Sequence, residues 1–107
     1  MYNFLIDYWQ FSLDSCIAYR LAVKTECSGE EKVMGYLNGI DKCAVACKGK
    51  ASLFAYGTNE YGENRCNSDG QCKCLCETAA TVNGKCIQHG HAGYNLYKYK
   101  SKMLIDL

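Results

Sequence analysis

Nine cysteines in a chain of 107 residues restrict what this sequence can become more than any other feature. They stand at Cys16, Cys27, Cys43, Cys47, Cys66, Cys72, Cys74, Cys76 and Cys86. At about 8% of the chain they reach the density of a disulfide scaffold. A chain this short buries a limited fraction of its surface, and crosslinks compensate by restricting the unfolded state. Each bridge typically contributes about 2–4 kcal/mol, so four would rival the whole stability of an ordinary domain. Bridges persist in oxidising compartments, which places the expected location outside the cell. Cys27, Cys43, Cys47, Cys66, Cys72, Cys74, Cys76 and Cys86 are an even set and are expected to form four structural disulfides. Cys16 is the odd thiol: free, paired outside the framework, or bridging two chains into a dimer.

Periodicity predicts the elements that carry these cysteines. Lys42 to Lys48 reads as a short helix, with Asp41 as its N-cap and Gly49 just past its end. Cys43 and Cys47 are four apart and share a face of that helix. Gln71 to Glu77 alternates as a strand, so Cys72, Cys74 and Cys76 share a face as well. A helix lying across a sheet brings the two faces together, and Cys43 and Cys47 are each expected to pair with a cysteine from 66–76. Further strands are expected at Lys32–Leu37, at Ser52–Tyr56 and at Gly93–Tyr99. In the second, Leu53 and Ala55 face one way and Phe54 and Tyr56 the other. Asn83-Gly84 signals a hairpin turn, and His89-Gly90-His91 reads as a solvent-exposed loop. The expected fold is α+β: a small disulfide-rich antiparallel sheet packed against one short helix.

Three regions follow. Residues 1–26 form an N-terminal segment, read as a leader remnant or as a packed helix. Leu5, Trp9, Leu13 and Ile17 recur every four residues there, while Asp7, Gln10 and Asp14 interrupt a secretory apolar stretch. Residues 27–99 form the cysteine-rich domain, and 100–107 a frayed tail.

The chemistry suggested by these residues is recognition rather than catalysis. No G-x-S-x-G, H-E-x-x-H or P-loop motif is present, so the chain is not expected to be an enzyme. No cofactor is expected. No metal is expected either, because cysteines on one strand cannot all reach a single tetrahedral centre and the rest are dispersed. A net charge of +1 gives no electrostatic case for nucleic acid. No apolar run approaches the roughly 20 residues of a membrane span.

Gly39-Ile40-Asp41-Lys42-Cys43-Ala44-Val45-Ala46-Cys47 resembles the helix segment of apple/PAN-like domains, with its C-x-x-x-C pair after a small loop. Ser52–Gly57 resembles the strand that follows, and Gly93–Lys98 the closing strand. The chain departs from that pattern at Lys50-Ala51, where such domains often carry a cysteine, and its cluster Cys66 to Cys76 is denser. The family's connectivity is therefore not carried over. The resemblance implies an antiparallel sheet cradling one helix, in an extracellular module that binds protein or carbohydrate. Tyr56, Tyr61, Arg65, Tyr97 and Tyr99, on and beside the long polar loop 57–71, are the expected ligand-binding residues. A secreted toxin or protease inhibitor, with Arg65 or Lys73 for a trypsin-like pocket, is the alternative. A structural matrix protein crosslinked through Cys16 is the second.

Overall fold

The computed structural model describes residues 17–100. Cys16, together with Leu5, Trp9 and Leu13, lies outside the described residues, as does the tail from 101. The strands are β1 (Ala18–Ala22), β2 (Thr25–Cys27), β3 (Lys32–Leu37), β4 (Leu53–Gly57), β5 (Cys72–Cys76), β6 (Gln88–Gly90) and β7 (Tyr94–Tyr99). Two helices, α1 (Ile40–Cys47) and α2 (Thr78–Asn83), complete the fold. Five strands form an antiparallel sheet in the order β1-β7-β4-β5-β3, and β2 pairs with β6 as a separate two-stranded sheet.

Strand alternation decides what each face of the large sheet carries. On β4, Phe54 and Tyr56 turn toward α1 and join Cys43, Ala44, Cys47, Cys74, Cys76 and Tyr97 in one core. Leu53 and Ala55 turn the other way. Leu53 packs with Leu96, Ala80 and Cys27, under α2 and β2, and Ala55 packs with Leu75 and Tyr94. The sheet is thus covered on both faces. That is why every residue of β4 is buried, and why a strand of mixed polarity such as Tyr94–Tyr99 remains in its interior. Fully burying a side chain such as Phe54 or Leu96 contributes about 1.5–3 kcal/mol.

Both helix cysteines cross to β5, as Cys43–Cys74 and Cys47–Cys76. Four residues of helix rise about 6 Å, and two residues of strand advance about 6.6 Å. The two bridges therefore stand side by side only if α1 runs in the same direction as β5. Cys27–Cys86 clamps the small sheet, and Cys66–Cys72 closes the long loop.

Four local expectations are corrected. Asp41 does not cap α1: the cap position is Gly39, at φ 120°, and Asp41 falls in the first turn, where its charge suits the helix dipole. Asn83-Gly84 closes no hairpin. Thr78 to Asn83 are helical, and Gly84, at φ 80°, provides the left-handed exit. Hairpin turns and helix ends both call for a residue at positive φ, so the dipeptide alone does not separate them. Gln88-His89-Gly90 is strand β6 rather than loop, because β2 offers it a partner. Finally, the folded unit extends ahead of residue 27: β1 pairs with β7, and the Lys100 amide donates to the Ile17 carbonyl at 2.8 Å. Among the described residues no helix is long and apolar enough to cross a membrane.

Candidate functional site

Of the expected ligand-binding tyrosines, Tyr56 and Tyr97 are buried in the core and Tyr99 packs half-buried against it. Tyr56 is 7% exposed and Tyr97 6%. The Tyr56 hydroxyl donates to the Leu37 carbonyl at 2.6 Å and accepts from the Gly39 amide at 2.7 Å, tying β4 to the entry of α1. Tyr97 stacks on Phe54, with ring centroids 5.3 Å apart. Tyr99 is half-buried and its hydroxyl donates to the Ala44 carbonyl of α1; burial pushes its pKa up to about 12. All three lie on the α1 face by the period of two that places Phe54 there, which leaves Tyr56 and Tyr97 little surface to offer a partner. Tyr56→Phe is expected to cost about 1–3 kcal/mol, because the Gly39 amide loses its partner. Chemical denaturation measures it, and a change below about 0.5 kcal/mol would show that the hydroxyl anchors nothing.

Tyr61 and Arg65 are partly exposed, on a loop ordered from within. The Asn59 carboxamide oxygen accepts from the Arg65 and Cys66 amides at 2.7 and 2.8 Å. The Asn67 oxygen accepts from the Asp69 and Gln71 amides, both at 3.0 Å. The Cys66–Cys72 bridge and the Lys73 amide, donating to the Arg65 carbonyl at 3.0 Å, fasten the loop to β5. Gly57 permits this close return: a Cβ there would lie 2.8 Å from the Arg65 carbonyl oxygen. The Lys24 ammonium sits 5.0 Å from the Tyr61 ring centre, and the Arg65 guanidinium 5.7 Å from that of Tyr94. Arg65 also pairs with Glu63 at 3.2 Å. Beside the loop, Tyr36, Asn64, Cys66 and Asn67 line an open depression of about 260 Å³.

A second constellation was not foreseen. On the sheet face away from α1, Glu26 of β2, Glu31 ahead of β3 and Glu77 at the end of β5 bring carboxylate oxygens within 4.8 Å of one another. Glu77 is fully buried. One oxygen, Oε2, accepts from the Cys27 amide at 3.0 Å; the other, Oε1, is buried with no hydrogen-bond donor among the described residues. Burial, then the charges of Glu31 and Glu26, push the Glu77 pKa up to about 8 against the Cys27 amide, which favours the ionised form. Glu31 is raised too, by burial and by Glu26, while a side-chain hydrogen bond with Glu77 and the charges of Lys73 and His91 act in the opposite direction. His89 Nε2 lies 3.9 Å from Glu26 across the β2–β6 pair. A faint signal existed in the sequence: continuing the alternation past Cys76 places Glu77 on the face of Leu75, pointing inward. Nothing in the sequence showed that Glu26 and Glu31, about fifty residues earlier, would meet it.

Cys43, Cys47 and Cys74 also cluster, with Cys47 Sγ 3.8 Å from Cys74 Sγ, but these sulfurs are bonded in disulfides and offer no thiolate. No protein-family model, curated protein or solved structure matches this chain.

Proposed function

We propose that the chain is a secreted recognition module that binds an extracellular protein or carbohydrate through the loop between β4 and β5. The observation that carries this reading is the internal ordering of that loop. Two asparagine side chains and the Cys66–Cys72 bridge hold it in shape without burying it. A surface ordered before binding loses less entropy on contact, which is how a small rigid scaffold gains affinity. Tyr61 offers amphipathic contact area there, and the adjoining depression accepts a small protruding group from a partner. Four disulfides in so small a domain are typical of extracellular proteins. An apple/PAN-like affiliation is part of the same proposal and rests on the C-x-x-x-C helix lying across an antiparallel sheet. The inhibitor reading is weaker, since the Arg65 side chain folds over Tyr94 and its carbonyl is bonded to β5.

The test is an array of extracellular proteins and glycans probed with the wild-type chain and with Tyr61→Ala. Tyr61 is not part of the core, so the variant should keep its stability within about 0.5 kcal/mol. Its binding to the wild-type hits should fall roughly tenfold or more, the loss of about 1.4 kcal/mol at a contact residue. Undiminished binding by Tyr61→Ala would remove the loop from the recognition surface.

A further inference from the structure

The carboxylates of Glu26, Glu31 and Glu77 have no role in the recognition reading, and their arrangement asks for an occupant. We propose that they form a Ca²⁺ site, closed by the Cys27–Cys86 layer over the sheet face opposite α1.

Two separate observations carry the assignment. The first is the cluster, with ligand oxygens from all three residues within 4.8 Å of one another. Oxygens bound to one Ca²⁺ lie about 2.3–2.6 Å from it, so opposed ligands stand roughly 4.6–5.2 Å apart. The second is the orphaned Oε1 of Glu77. Its side chain is fully buried: Oε2 accepts from the Cys27 amide, Oε1 has no donor among the described residues, and the Glu31 carboxyl lies within hydrogen-bonding reach of the same side chain. A buried acceptor facing acceptors is costly until a proton or a cation lies between them. One proton joins only two of the three carboxylates, whereas Ca²⁺ takes six to eight oxygens in a flexible shell and accommodates all three together with water. Among the described residues, Lys73 and His91 act on Glu31, His89 lies 3.9 Å from Glu26, and Arg65 is engaged with Glu63. Mg²⁺ fits less well, because it demands a tight octahedron at about 2.0–2.1 Å and gives up its water reluctantly. The chain does not need the ion to fold, since the disulfides hold it; the ion adds to a structure already formed.

The experiment is a titration of the oxidised full chain with Tb³⁺, a luminescent substitute for Ca²⁺, read through tyrosine-sensitised emission. Tyr94 is the antenna: its hydroxyl responds to the charges of both Glu31 and Glu26. Emission should saturate and be displaced by Ca²⁺ with half-effect in roughly the 0.1–1 mM range of extracellular sites. Ca²⁺ at 10 mM should raise the melting temperature by about 5 °C or more, and EDTA should reverse the rise. Glu31→Gln and Glu77→Gln should each weaken binding at least tenfold, while Glu60→Gln in the exposed loop should not. Glu31 is only half-buried, so its variant decides the matter if Glu77→Gln fails to fold. Absence of saturable binding, or binding unchanged in Glu31→Gln, would overturn the site and leave a shared proton as the occupant of the cluster.

Discussion

Removal of both bridges between α1 and β5, by replacing Cys43, Cys47, Cys74 and Cys76 with Ala, should leave the chain unfolded at 37 °C. The two bridges close loops of 31 and 29 residues. On the chain-entropy relation each restricts the unfolded state by about 3.7 kcal/mol. Their joint loss, over 7 kcal/mol, is comparable to the whole stability of an ordinary domain at about 5–15 kcal/mol. The native side loses as well. All four cysteines are completely buried, between Phe54, Tyr56 and Tyr97, and truncation leaves a void in that layer. The short α1 would not survive alone, because eight residues are too few to hold a helix in water. By contrast, Cys66–Cys72 closes a loop of 6 residues and its loss should cost about 2 kcal/mol, confined to the β4–β5 connection. Circular dichroism melts of the two variants, with and without reductant, read the difference. A cooperative melt near the wild-type temperature in the four-alanine variant would show that apolar packing, not crosslinking, sustains the fold.

Stability should also fall as pH rises from about 5 to 8 when the buffer contains chelator, which is the reverse of ordinary acid denaturation. The direction follows from Glu77. Its pKa is about 8 in the folded chain against an ordinary value of 4.5. Between those two values the folded chain keeps a proton that the unfolded chain has released, so raising the pH favours unfolding. The contribution is fully present below the lower value and is gone above the upper one. Glu31, raised for the same reasons, adds in the same direction. Each tenfold difference in proton affinity between the folded and unfolded chain is worth about 1.4 kcal/mol, so the change across this window is on the order of 2–4 kcal/mol. Glu26, His89, His91 and Lys73 also act on the cluster, so Glu77→Gln is the isolating variant. It retains an acceptor for the Cys27 amide but cannot ionise, and its stability should be flatter with pH. Urea unfolding at pH 5, 6.5 and 8 measures both. A wild-type chain more stable at pH 8 than at pH 5 would mean that Glu77 is ionised and compensated in the folded state.

Legibility of the structure from the residues varied with the range of the signal. The strands at 32–37, 53–57 and 94–99, and the helix ending before Gly49, could be read because alternation and turn residues act over a few positions. Thr78–Asn83 was missed as a helix because six residues hold less than two turns of pattern, and it stands only where Ala80 docks on Leu53 and Leu96. For Tyr56 and Tyr97 the residues left contact surface and core both open, because tyrosine suits either equally. A hydroxyl that finds a carbonyl inside, as Tyr56 does at Leu37, cannot be known before the partner is placed.

The residues alone determined that the chain is stapled, that eight cysteines make up the framework, and that Cys43 and Cys47 each meet a cysteine from 66–76. These follow from number and period, which are properties of the chain itself. Only the tertiary structure decided that Cys43 takes Cys74 and Cys47 takes Cys76 rather than Cys66 or Cys72, since exchanging partners alters no periodicity and the direction of α1 along β5 settles their order. It also decided that Glu26 and Glu31 reach Glu77, across about fifty residues of intervening chain, when β2 folds over the far face of the sheet. Local sequence sets which face a side chain occupies, through a rise per residue common to every helix and strand. What lies opposite that face depends on how the elements stack, which is settled by the burial of Leu53, Leu96, Ala80 and Cys27 together.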